Sequence, residues 1–464
     1  MVIGICLCVA LATVAVQRSV GSGSSDGSST AVADRASQDL RSGSRVPPLD
    51  DSKTVDSTSD SAADVAPGGA DSGNQVPARP ADAIDGLLDA RAAAIRTGDR
   101  TAWLAGLAPA SDARVGRFRT AQGQVFDRVR SLRPVSWSYQ VGGGYPLSAK
   151  RRDALGGVAW LADVQLRYQL TAGGPTVQRQ QFLTMVRRTG GGWLIADDTD
   201  GSTGRDVWDL GPIAHAVSAR CLVVGSRARR VQVEQFAAEC GRSATIVDGA
   251  WGRSWPRRTV LTVPNTLSQL AVLLGRSGAN DTVGLEKTAA VTIGPSDGAA
   301  DTVLINGAAF DELSALGRRV VLTHELVHVA TRATGSRSAP TWLSEGYADY
   351  VGYADSGLSP REVAGEALDA VNAGRVPSAL PAADDFNAAG DQAATAYGLA
   401  WVAAGVIANK AGGKNRMQAF YRQAAAPGAG AAGLDAALAD IGLGGTTAFV
   451  KVWQARLRQL ATDH

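Results

Sequence analysis

The 464-residue chain carries a formal net charge of +2, and 45% of it is hydrophobic. That length accommodates two or three domains, the later ones with real cores. The near-neutral balance excludes a global electrostatic footprint for nucleic acid or for a strongly acidic substrate.

Residues 2–16 are uncharged, and the first charge is Arg18. This run falls short of the roughly 20 apolar residues of a bilayer span and fits a signal-peptide core by length. No basic segment precedes it. We read 1–18 as a hydrophobic signal or anchor segment that puts the rest of the protein outside the cytoplasm, an uncleaved anchor being preferred over a secreted product. Contact with the membrane is expected through this segment only. Residues 19–80 hold nine Asp against four Arg and one Lys, with no aromatic residue. Such a composition cannot bury enough apolar surface to offset the entropy of ordering, so a disordered Ser/Gly/Asp/Pro-rich linker is expected there.

From 81 the pattern turns globular. Residues 83–97 read as an amphipathic helix, with Ile84, Leu87, Leu88, Arg91 and Ile95 at helical spacing. A second helix is expected over Ala113–Leu132, then strands over 135–141, 158–170, 178–188 and Trp193–Asp197, punctuated by Gly173-Gly174 and by 190–192. This order of helices and an antiparallel meander resembles the cone-shaped nuclear-transport-factor-like and SnoaL-like folds. The resemblance implies an α+β accessory domain over 81–205.

The remainder, 206–464, reads as α+β. Short strands are expected at 221–225, Thr259–Val263, 290–293 and Thr302–Ile305, with a helix over 231–240 ended by Gly241. After Asp311, a suitable N-cap, the pattern stays helical to the end. Cys221 and Cys240 allow either a disulfide or two free buried thiols. Neither has a further Cys or His at ligand spacing, which argues against a zinc role.

The chemistry concentrates in 320–330, where His324-Glu325-Leu326-Val327-His328 forms an HExxH pattern on an apolar helix. Residues four apart share one helix face, so both imidazoles can bind one Zn²⁺ while Glu325 acts on a water in the open coordination position. Seventeen residues on comes Trp342-Leu343-Ser344-Glu345-Gly346-Tyr347-Ala348-Asp349. This segment resembles the second zinc motif of the gluzincin metallopeptidases, with Pro340 and Thr341 suited to start its helix. The resemblance covers roughly 290–430. It implies a zincin-like peptidase domain, a small mixed sheet followed by a mostly helical part, with Glu345 as third zinc ligand. Asp349, one turn later, would hydrogen-bond the far nitrogen of His324. The family also often has a strand upstream of the motif helix that pairs with bound peptide along a free edge, and Thr302–Ile305 occupies the matching place. An oxyanion-stabilising Tyr or His from a later helix is common too, and Tyr397, at the start of a helix expected over 394–407, fits by position. The layout that continues HExxH to a third His six residues on is excluded, because position 334 is Thr. His215 and the terminal His464 lie outside these motifs.

The expectation is a zinc metallopeptidase that hydrolyses peptide or protein substrates with one Zn²⁺ and Glu325 as general base, an endopeptidase in preference to an exopeptidase. A non-catalytic, zinc-containing surface binding protein is the alternative. Substrate side-chain preference and oligomeric state are not legible in the sequence.

Overall fold

Cys6–Val9 forms strand β1, and the computed structural model otherwise describes residues 81–256, 258–276, 281–286, 288–294, 301–336, 338–388 and 390–463. The expected linker, 19–80, and most of the expected signal or anchor segment lie outside the described residues. Among the described residues no helix is long and apolar enough to cross a membrane.

Helix α1 (Ala81–Thr97) buries Ile84, Leu88, Ala92 and Ile95, the three- and four-residue spacing of a single apolar face. Arg91 lies on that face too. Its guanidinium sits 3.2 Å from the centroid of the Trp103 ring and donates to Gln122 Oε1. Asp99 caps α2 (Arg100–Ala105) and Asp112 caps α3 (Ala113–Leu132), each carboxylate accepting from backbone N–H groups of the first turn. Strands β2 (Ser136–Pro146), β3 (Ala159–Gln169), β4 (Thr176–Arg187) and β5 (Trp193–Asp197) follow as an antiparallel meander in sequence order.

A six-stranded sheet follows, with strand order β1-β9-β10-β8-β7-β6. Its members are β6 (Ile213–Val217), β7 (Cys221–Ser226), β8 (Thr259–Val263), β9 (Thr288–Ile293) and β10 (Thr302–Ile305), together with β1. β7, β8 and β10 run parallel, whereas β6, β9 and β1 are each antiparallel to their neighbours. Alternate side chains of the central strands face opposite ways. Cys221 and Val223 join the helices' core, while Leu222, Val224 and Val260 pack with Trp137, Tyr168 and Trp208 of the preceding α+β region. The two sheets therefore share a core across the segment around residue 206.

Two local expectations change. The helix from Arg230 does not stop at Gly241 but runs to Trp251 as α4, because Ser243, Ala244, Val247 and Trp251 continue its buried face. Gly252, at φ 83°, ends it. Thr302–Ile305 is not a free edge either. β10 is an interior strand between β9 and β8, and the strand on its outer side, β9, is itself paired by β1 with Cys6 opposite Thr292.

The C-terminal part is helical: α5 (Ala315–Ala333), α6 (Thr341–Gly352), α7 (Asp391–Ala411), α8 (Lys414–Ala424) and α9 (Thr446–Thr462) are among its members, with further helices between them. The N-cap of α5 is Ser314 rather than Asp311; its hydroxyl accepts from Gly317 N. α5 packs against α4, α6 and β9, and every residue from Val320 to Thr331 is buried. The class is α+β, as expected.

Cys221 of β7 and Cys240 of α4 form a disulfide with a Cα–Cα distance of 6.2 Å across a sequence separation of 19. A loop of that length constrains the unfolded chain by about 3 kcal/mol. The Cys221→Ala/Cys240→Ala double variant should therefore lose about that much unfolding free energy, read from urea melts. An unchanged midpoint would mean the crosslink adds nothing to the packing of α4 on the sheet.

Candidate metal centre

A helix buried on all sides should be apolar throughout, yet the middle of α5 carries His324, Glu325 and His328, all at most 1% exposed. Their partners arrive on α6, which is pressed between α5 and α7. A Cβ on Gly346 would lie 2.7 Å from the carbonyl carbon of Ala400 in α7 and closer still to its oxygen. A Cβ on Gly352 would lie 3.1 Å from the carbonyl oxygen of Val320 in α5. Only glycine at 346 permits this approach, which seats Glu345 against α5, itself 1% exposed.

Nε2 of His324 and Nε2 of His328 are 2.9 Å apart, and Glu345 Oε2 lies 3.2 Å from the first and 3.4 Å from the second. Ligands about 2.0–2.1 Å from a tetrahedral ion are separated by about 3.3 Å, so the three donors already stand at the spacing of one coordination face. His324, His328 and Glu345 form a buried group that could hold a metal ion. The donor set, two imidazoles and a carboxylate, suits a divalent ion of the zinc type.

The outward nitrogens are held as well. His324 Nδ1 is 2.7 Å from Asp349 Oδ1, and His328 Nδ1 is 3.3 Å from Ser344 Oγ. Both contacts are compatible with a proton on Nδ1 and a lone pair on Nε2, the tautomer a metal needs. Burial disfavours charge on His324, but the carboxylates of Asp349 and Glu345 outweigh it and hold the imidazole well above its ordinary value. Burial likewise pushes Glu345 up, yet the imidazoles of His328 and His324 prevail and keep it well below the usual carboxylate range. Three acidic side chains and two imidazoles share one buried cluster, so a divalent cation would offset most of the carboxylate charge.

Glu325 takes no part in the donor triad. Its Oε2 accepts a hydrogen bond from the hydroxyl of Thr292 on β9, which also lies 3.3 Å from the Glu325 carbonyl oxygen. Among the described residues the buried Glu325 Oε1 has no hydrogen-bond partner, a costly arrangement unless a ligand or water completes it. Tyr397, in the second turn of α7, is buried with its ring centroid 6.3 Å from that of His324 and an edge-on contact to Phe386 at 5.0 Å.

The structure thus brings His324, Glu325, His328, Glu345, Asp349 and Tyr397 into one neighbourhood. His215 is apart from it on β6, opposite Val224, and His464 lies outside the described residues. Sequence reasoning passed over Thr292 and Ser344. A polar residue in the otherwise apolar Val291–Ile293 stretch was the one signal for Thr292. Ser344 could have been found from its place next to Glu345, sixteen residues after His328. Compared with protein-family models and with curated proteins, the chain matches none.

The geometry yields two expected outcomes. Alanine at His324, His328 or Glu345 should each reduce bound divalent metal in elemental analysis of protein dialysed against limiting metal; full stoichiometry in the Glu345→Ala protein would remove it from the donor set. Gly346→Ala should also reduce bound metal, because α6 must move off α7 and carry Glu345 with it. Retention equal to wild type would show that this helix contact does not place the carboxylate.

Proposed function

We propose that the chain is a zinc-dependent metallopeptidase of the gluzincin type, acting outside the cytoplasm on peptide or protein substrates. The observation that carries this reading is the buried Oε1 of Glu325, without a hydrogen-bond partner among the described residues, beside a three-donor metal group. A structural metal site has no use for a third carboxylate that neither ligates the ion nor orients a ligand in a buried core, where it costs free energy. A general base does.

His324, His328 and Glu345 would hold the ion, which when bound supplies Lewis-acid activation of a water and of the scissile carbonyl. Asp349 and Ser344 keep the two imidazoles oriented. Thr292 holds one oxygen of Glu325 by its hydrogen bond and leaves the other to take the proton from the attacking water. Glu325 then returns that proton to the departing amine. The Tyr397 hydroxyl would stabilise the developing oxyanion. An extended substrate would lie along β9, the strand next to Glu325, on the edge where Cys6–Val9 now pairs. The disulfide supports a location in an oxidising compartment. We keep the membrane anchor over release as part of the proposal.

A second reading is favoured by one observation. The donor group is at most 1% exposed, as in a structural zinc site of a binding protein. The two readings part on Glu325. Glu325→Gln should keep stoichiometric zinc and lose hydrolysis of an unstructured protein substrate by at least about a hundredfold, the usual scale of a general base. A variant with wild-type turnover would sink the mechanism. A zinc-replete wild type with no hydrolysis at all would favour the structural site.

A further inference from the structure

Strands β4 and β5 present two unlike faces. Met185 and Ile195, paired across the two strands, pack with Ile84 and Leu88 of α1 and Phe118 of α3. Side chains alternate along a strand, so Val186, Leu194 and Ala196 face the other way and pack with Ala108 and Leu155 instead. On that outer face the segment from Gly106 crosses β5. Ile195 N donates to Gly106 O at 3.0 Å, and Ala108 N donates to Ile195 O at 2.9 Å. Between this segment, the β4–β5 floor and Leu155, at the end of the short helix Ala149–Ala154, lies a cavity of about 770 Å³. Its apolar lining is recessed: Val186 is 9% exposed, Leu107 3% and Ala196 0%.

The charges around the cavity are of one sign. Among the described residues Arg119, Arg187 and Arg188 line it and no carboxylate does. Other arginines of the same α+β region are neutralised, Arg114 and Arg151 by Asp197, Arg205 by Asp198 and Arg179 by Asp206. Arg119, Arg187 and Arg188 make no ion pair among the described residues. Arg119 is fixed in place, because its Nη1 donates to the carbonyl oxygens of Leu104 and Leu107 at 3.0 and 3.1 Å. The backbones of the other two are held by the hairpin. Arg187 N donates to Val158 O at 3.0 Å, and Arg188 N donates to Gly192 O at 2.9 Å.

Uncompensated cations over an apolar floor match an anion with an apolar body. The guanidinium fork fits carboxylate and phosphate heads alike. At roughly 30 Å³ per water-sized group, the cavity takes up to about two dozen non-hydrogen atoms. A membrane surface matches it less well, since none of the strongly exposed large apolar side chains among the described residues lines it.

We propose that this cavity binds a free amphipathic organic anion, its head among Arg119, Arg187 and Arg188 and its aliphatic body against Val186, Leu194 and Ala196. The inference goes beyond the metal site and does not rest on it.

Calorimetric titration of the full chain with dodecanoate and with dodecyl phosphate, each below its micelle-forming concentration, tests the proposal. At least one should bind in the micromolar range, and more weakly as salt is raised. Dodecyltrimethylammonium, with the same tail and a cationic head, should not bind. Arg187→Gln/Arg188→Gln changes only exposed side chains and should weaken binding at least about tenfold. Leu155→Glu, which sets a negative charge in the wall, should do the same, with its melting midpoint read alongside. Should Leu155→Glu fail to fold, the arginine variant decides. Bound metal should stay unchanged in the arginine variant. Failure of both anions to bind, equal binding of the trimethylammonium compound, or unchanged affinity in the arginine variant would overturn the assignment. Binding of phosphatidylglycerol vesicles without binding of either free amphiphile would give the arginines to a membrane surface and overturn it as well.

Discussion

Two imidazole nitrogens and a carboxylate oxygen within 3.4 Å of one another, in a core that excludes water, are the constraint around which the C-terminal half is organised. Stripping such groups of water is costly, and the surrounding apolar packing does not repay it. The arrangement persists because each group is held from behind: His324 by Asp349, His328 by Ser344, and Glu325 by Thr292. Two elements, α6 and β9, supply these supports to α5, so the site depends on the docking of all three as one body. The close passage of α6 past α7 at Gly346 sets one side of that docking. The sheet, linked to α4 by the Cys221–Cys240 disulfide, sets the other.

What was legible in the sequence was what is local. His324 and His328 are four residues apart on one helix, and helical periodicity alone puts them on a common face. Asp349 is similarly tied to Glu345 by one turn of α6. Apart from β1 and β6, the strands of both sheets were visible as β-rich runs between turn residues, and α3 and β8 fall where the pattern placed them. Strand order was not legible, since alternation reports which face is buried and says nothing of which neighbour is paired. Thr302–Ile305 therefore read as an edge and proved interior. Gly241 looked like a stop, but the buried face of α4 continues through it, and packing outweighs the roughly 1 kcal/mol cost of a mid-helix glycine. Thr292 lies 33 residues from Glu325 in the chain, and Ser344 lies 16 from His328 on a different helix. Contacts at such separations have no periodic signature.

The preceding α+β region is not an independent appendage. Leu222, Val224 and Val260 of the six-stranded sheet bury among Trp137, Tyr168 and Trp208, and a cut near residue 206 would expose both halves of that cluster. The face of the sheet turned away from the metal is thus closed by the first α+β region, while the face turned toward it carries α4 and α5. One sheet therefore lies between the metal group and the first α+β region, and Thr292 on that sheet hydrogen-bonds Glu325.

A catalytic centre differs from a structural one in its fourth coordination position. Zinc K-edge absorption of the metal-loaded protein, recorded with and without a peptide hydroxamate, reads that position directly. The peptidase reading requires nitrogen and oxygen ligands only, at about 2.0–2.1 Å, and a spectrum that changes when the hydroxamate occupies the open site. A sulfur ligand, or a closed shell that the hydroxamate leaves unchanged, would contradict it.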